Sequence, residues 1–157
     1  MRTINVNYNS SYNYSLFENE IEIGNLIYKD QRLSFAIYKT KVNNYYVINE
    51  STFFKHEFKI TKNHKNIFGI KIKRNCIFTI TDFENEKTYT LNQSGLLFRK
   101  GQPLSYQGKE IVKVKHKFNW KKFRTEYIMN SELDDCEDLF FFIAIYCETY
   151  YDNFLTD

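Results

Sequence analysis

Apolar and polar residues alternate along nearly all of the chain up to Asn130, the period-two signature of half-buried β-strands. Ile21 and Ile23 alternate with glutamates, and Gly24-Asn25 reads as a turn. Leu33, Phe35 and Ile37 alternate next, Asn43-Asn44 follows, and Tyr45 to Ile48 is a continuous apolar strand. Phe54, Phe58 and Ile60 share a face with His56, and Asn63-His64-Lys65-Asn66 closes that segment. Phe68, Ile70 and Ile72 point away from Lys71 and Lys73, while Cys76, Phe78 and Ile80 repeat the rule up to a hairpin tip at Phe83–Lys87. Tyr89 and Leu91 continue the pattern, and Leu96 and Phe98 resume it beyond Asn92-Gln93-Ser94-Gly95. Val112, Val114, His116 and Phe118 form the longest run, and Phe123, Thr125, Tyr127 and Met129 finish the β region. Turn signals recur roughly every 8–12 residues, which predicts an antiparallel meander or barrel of about ten to twelve strands.

The pattern then changes. Leu139-Phe140-Phe141-Phe142-Ile143-Ala144-Ile145-Tyr146-Cys147 is uninterruptedly apolar, and carboxylates precede it. Ser131 is placed to cap a helix, with Glu132, Asp134, Asp135, Glu137 and Asp138 loading its start, so the reading predicts a helix near 131–151. A helix apolar on every side must be surrounded by protein or lipid. This run covers only ~13 Å, against the ~30 Å of a bilayer core. The expected host is therefore the chain's own sheet. The fold prediction is a mainly β single domain over 1–157: a closed antiparallel barrel around a buried C-terminal α-helix, unstable without that helix.

Charge adds an asymmetry. The net of +3 conceals +11 over residues 1–130 and −8 over residues 131–157, where no lysine or arginine occurs. Acids at a helix start and lysines on solvated strand faces account for most such splits. A basic β surface facing an anionic partner is the sharper reading. The aromatic share of 18% excludes a disordered chain, and one proline with five glycines leaves no flexible interdomain linker. The start, Met1 to Tyr8, has no apolar signal-peptide core. The odd number of cysteines (Cys76, Cys136, Cys147) argues against a disulfide framework. Both point to a cytoplasmic setting, peripheral to a membrane if the basic surface meets one, with no transmembrane segment.

A meander of about a dozen strands ending in one buried apolar helix resembles the tubby-like barrel, the superfamily of tubby C-terminal domains, LURP-one-related proteins and phospholipid scramblases. The local cues are Glu57-Phe58-Lys59-Ile60-Thr61-Lys62 turning into Gly69-Ile70-Lys71-Ile72-Lys73, and the terminal Asp134–Ile145 stretch. The resemblance implies twelve strands around a central helix and affinity for anionic lipid headgroups, since tubby domains bind phosphoinositides. It carries over no phosphoinositide-site residues, and the Cys-rich and calcium-binding features associated with scramblases do not appear.

The candidate surface is Lys113-Val114-Lys115-His116-Lys117-Phe118-Asn119-Trp120-Lys121-Lys122-Phe123-Arg124. On a strand, Lys113, Lys115 and Lys117 project from one face about 7 Å apart, a spacing that suits successive phosphates. Trp120 suits a membrane interface or base stacking. The blander account is a solvated face whose lysines discourage edge pairing. Lys71, Lys73 and Arg74 form a second basic face, more credible if the two strands are neighbours. His56 and His116 lie on apolar strand faces, where core histidines are commoner than ligands, and no metal-ligand spacing or catalytic motif stands out. The expectation is a non-enzymatic, cofactor-free module that binds an anionic headgroup. A protein-interaction module (adaptor or toxin-neutralising protein) using the acidic helix start is the alternative. Nucleic-acid binding ranks third.

Overall fold

Twelve strands and one helix make up the protein in the computed structural model, which describes residues 1–10, 12–29, 35–52, 55–73, 76–92, 103–122 and 124–154. The strands are β1 (Arg2–Ser10), β2 (Asn13–Glu18), β3 (Ile21–Tyr28), β4 (Phe35–Lys39), β5 (Asn44–Asn49), β6 (His56–Lys62), β7 (Lys65–Ile72), β8 (Ile77–Asp82), β9 (Lys87–Asn92), β10 (Pro103–Tyr106), β11 (Lys109–Asn119) and β12 (Arg124–Ser131), followed by α1 (Asp138–Phe154). Each strand pairs antiparallel with the next. β1 then pairs with β12, from Arg2 opposite Ser131 to Val6 opposite Tyr127, which closes the barrel and leaves no edge. Leu33, Phe54, Leu96, Phe98 and Phe123 lie outside the described residues.

Tight turns drive the meander. Asn19-Glu20, Asn63-His64 and Gln107-Gly108 each place two successive residues at positive φ, between 48° and 78°. That is the type I′ geometry whose twist matches that of the flanking strands. Gly24-Asn25 is not a turn, contrary to the sequence expectation. Both residues sit inside β3, opposite Leu16 and Ser15 of β2, beside an irregularity between Leu16 and Phe17. Gly24 is there because the Tyr38 ring lies over it: a Cβ would stand 2.6 Å from the ring edge and 2.8 Å from the Lys39 carbonyl oxygen. Gly24→Ala should cost about 1–3 kcal/mol through overpacking, read as a lower urea midpoint with an unchanged slope.

Alternate strand residues point inward and meet α1. Every residue from Phe141 to Tyr150 is buried, and ten consecutive residues cover all faces of a helix, so the sheet surrounds it. Phe142 stacks on Tyr38 with ring centroids 4.5 Å apart and planes 5° apart. Tyr146 stacks on Tyr28 at 5.9 Å, and Tyr150 meets Phe58 edge-on at 4.8 Å. The lumen is filled by side chains.

The helix begins later than the sequence suggests, and Ser131 does not cap it. Ser131 ends β12, and its hydroxyl accepts from the Leu133 amide at 3.1 Å, turning the chain toward the lumen. Of the predicted helix-start acids, only Asp138 falls in the first turn; Glu132, Asp134, Asp135 and Glu137 lie in the connection. Arg2 fixes that entry. Its Nε and Nη2 donate to Glu18 at 2.9 and 2.7 Å, Nη2 also donates to Asp138 at 2.8 Å, and Nη1 donates to the Cys136 carbonyl. The paired guanidinium holds the Glu18 carboxyl below its ordinary 4.5. A carboxyl with a depressed value stabilises the fold above its unfolded value and loses that contribution as pH falls through the folded one. Urea midpoints should therefore drop as pH goes below about 4.5, and less steeply in Glu18→Gln, which has no such carboxyl to protonate.

The two barrel ends differ. Five hairpin connections, from β2–β3 to β10–β11, share the end where α1 enters. The β1–β2, β3–β4, β5–β6, β7–β8, β9–β10 and β11–β12 connections share the end where it leaves.

Candidate anion-binding surface

Lys113, Lys115 and Lys117 all point outward from β11, because Val112 and Val114 in the opposite phase are buried in the core. Lys113 lies 4.0 Å from Glu110, whereas Lys115 and Lys117 are exposed and make no ion pair among the described residues. The β11–β12 turn continues this row. The Asn119 side-chain oxygen accepts from the Lys121 and Lys122 amides at 3.1 and 3.2 Å, and its amide nitrogen donates to Glu126 at 2.8 Å. An Asx turn of this kind sets the backbone locally and projects the residues between. Trp120 accordingly stands 75% exposed at the tip, with Lys121 and Lys122 exposed beside it. The Asn119 hydrogen bond, with Lys122 3.5 Å away, holds the Glu126 carboxyl below its ordinary value. Arg124 is engaged within the barrel wall, where it donates to the Tyr8 carbonyl at 2.6 Å and bridges β12 to β1.

The second basic face is separate. β8, β9 and β10 intervene between β7 and β11, so Lys71 and Lys73 stand about 19 Å of sheet away from the β11 row at a strand spacing of ~4.8 Å. The two strands are not neighbours, so the condition for one combined patch is not met, and Lys71 is turned toward Glu57 at 3.4 Å. Arg74 lies outside the described residues. What the fold does share is an end: the described connections where α1 leaves carry Lys29, Lys55, Lys73, Lys121 and Lys122 against Glu50 alone. The opposite connections carry seven carboxylates against Lys41, interleaved with strand-terminal lysines such as Lys62, Lys65 and Lys87.

Inside the barrel, the sequence reading of the histidines holds for one of two. His116 faces the lumen, with Nε2 3.0 Å from Glu148, a carboxylate with no exposed surface. His56 is exposed instead, because it is the first residue of β6 and its inward phase opens at the rim. Around Glu148, the Tyr127 hydroxyl donates to Asp152 at 2.6 Å and the Tyr28 and Thr149 hydroxyls share a hydrogen bond at 2.6 Å. Burial pushes the Cys136 and Cys147 thiols up, the reverse of an activated nucleophile. All three cysteines are free. Among the described residues, no group of three or more His, Cys, Asp or Glu is placed to hold a metal ion, and no helix is long and apolar enough to cross a membrane.

Sequence reading missed the Arg2 clamp and the clefts beside the α1 entrance. The signal for Arg2 was present, since Arg2 is in phase with the inward Ile4 and Val6. A charged residue in an apolar phase announces a partner, and here the β1–β2 pairing supplies Glu18 while the entry of α1 supplies Asp138. No protein-family model, no curated protein and no solved structure matches this chain.

Proposed function

We propose that this barrel is a non-enzymatic module that binds anionic membrane headgroups at the end where α1 leaves, led by the β11–β12 tip. The observation that carries the reading is the exposed Trp120, held by an Asx turn and flanked by Lys117, Lys121 and Lys122. An indole with an apolar body and a polar N–H suits the headgroup boundary, and lysines beside it are drawn to an anionic leaflet by about 1 kcal/mol each. Because α1 fills the lumen, a lipid is met on the outside of the barrel and not swallowed by it. The tubby-like resemblance points the same way, toward a closed barrel with a helix in its lumen and phosphoinositides as ligands. On this reading the protein is peripheral to the cytoplasmic leaflet, where anionic lipids concentrate.

Trp120 is the chain's single tryptophan, so its emission reports on the tip alone. Mixed phosphatidylcholine and phosphatidylserine vesicles should shift it to the blue, and a phosphoinositide-doped set should do so at lower lipid. Pure phosphatidylcholine should leave it unchanged, and ~1 M salt, where the Debye length is ~3 Å, should reverse the shift. No shift with any anionic vesicle at low salt sinks the proposal.

A further inference from the structure

We infer that the opposite end, around the β4–β5 hairpin, is a docking surface for a segment of another protein that carries an apolar side chain next to a lysine or arginine. Two depressions meet there and share Val42 and Asn43. One is a groove of about 510 Å³ on the outer face, floored by Phe35, Tyr46 and Ile48, with Phe35 and Tyr46 stacked at 6.3 Å. The other is a cleft of about 530 Å³ beside the α1 entrance, bounded by Ile21, Tyr38, Tyr45 and Glu137 among others. Between them Val42 stands 87% exposed, and Ile21 and Ile48 are exposed nearby. Large aliphatic side chains gathered at one place, rather than scattered, mark an interaction surface.

The cleft has an unmet hydrogen-bonding group. Tyr38 has no exposed surface, its hydroxyl has no partner among the described residues, and the residue lines this cleft. Burial, with Asp138 nearby, pushes that phenol up, so it stays a donor, within reach of an acceptor such as a backbone carbonyl once an incoming segment displaces the side chains that cover it. The charges in the wall set the sign of the neighbouring side chain. Arg2 is engaged by Glu18 and Asp138, which leaves Glu22 and Glu137 against Lys41. Glu137 makes no ion pair among the described residues, and the connections around it are predominantly acidic. An anionic membrane is disfavoured here for the same reason. The chain's own Trp120-Lys121 pair has the chemistry described. Assigning the occupant to another protein therefore rests on the headgroup reading, which commits that tip elsewhere.

The probe is the blocked peptide Leu-Lys-Leu-Lys, titrated without vesicles into the whole protein, so that lipid binding plays no part in the result. Backbone amide shifts at Val42, Asn43, Tyr46 and Glu137 should move saturably. With no leucine to bury, the Ser-Lys-Ser-Lys version should bind about tenfold more weakly or worse, as should Val42→Asp. The Leu-Glu-Leu-Glu version should not bind. Tyr38→Phe keeps the Phe142 stack and should fold normally while binding about fivefold more weakly, the loss of one hydrogen bond. Equal binding of the serine peptide, shifts located elsewhere, or no saturable shift overturns the inference. Self-association abolished by Trp120→Ala also overturns it, by making a second copy the occupant.

Discussion

Lys121→Glu combined with Lys122→Glu is expected to abolish pelleting with anionic vesicles while leaving the thermal midpoint unchanged. Each lysine near an anionic leaflet contributes about 1 kcal/mol, and each reversal replaces that attraction with a comparable repulsion. Two reversals therefore remove about 4 kcal/mol, on the order of a thousandfold in apparent affinity. The turn itself should survive, because Asn119 accepts from the backbone amides of these residues and not from their side chains. Lys122 does lose its contact with Glu126, but exposed pairs of this kind are worth little. The informative control is Lys71→Glu with Lys73→Glu. Three strands separate those residues from β11 around the barrel, so they should matter only as far as the whole basic end approaches the bilayer. If the β7 pair weakens binding as much as the tip pair, the tip does not lead. If neither pair matters, headgroups are not the ligand.

Phe142→Ala is expected to cost about 3–5 kcal/mol, among the largest effects a single substitution can have here. The ring is completely buried and lies face to face with Tyr38, so its removal leaves a cavity between α1 and β4 that the closed sheet cannot collapse to fill. Domains of this size lose roughly 2–4 °C per kcal/mol, so the midpoint should fall by roughly 6–20 °C. Against a total stability of ~5–15 kcal/mol, that cost is a large fraction of the margin. Thermal unfolding followed by far-ultraviolet circular dichroism reads this directly. Ile48→Ala, on the outer face and exposed, should change it by less than about 0.5 kcal/mol. Equal effects of the two substitutions would mean that α1 is not the core of the barrel.

The exposed tip and the buried ring depend on the same architectural fact. Side chains of α1 occupy the lumen, so both proposed sites are on the outside of the barrel. Both proposed surfaces, the β11–β12 tip and the β4–β5 hairpin, are rim features at opposite ends.

Local chemistry made much of this legible in the chain. Period-two alternation is a property of neighbouring residues, so Val112, Val114 and His116 declared their inward phase and Lys113, Lys115 and Lys117 their outward one before any partner strand was known. The apolar run at Leu139–Cys147 likewise required enclosure, since burial on all sides of a helix follows from composition alone. Gly24 shows where such reasoning stops: Gly-Asn is a good local turn, but the approach of Tyr38 from another strand keeps it extended. Ser131 shows the same for capping, because β12 had to reach Arg2 of β1 before the chain could turn inward. Which strands are neighbours is a tertiary question, and the assembled barrel decided that the two lysine rows stand apart, that Arg2 meets both Glu18 of β2 and Asp138 of α1, and that Tyr38 ends beneath a cleft. Pairings between residues distant in the chain depend on the whole set of strand registers at once, and no window of sequence holds that information.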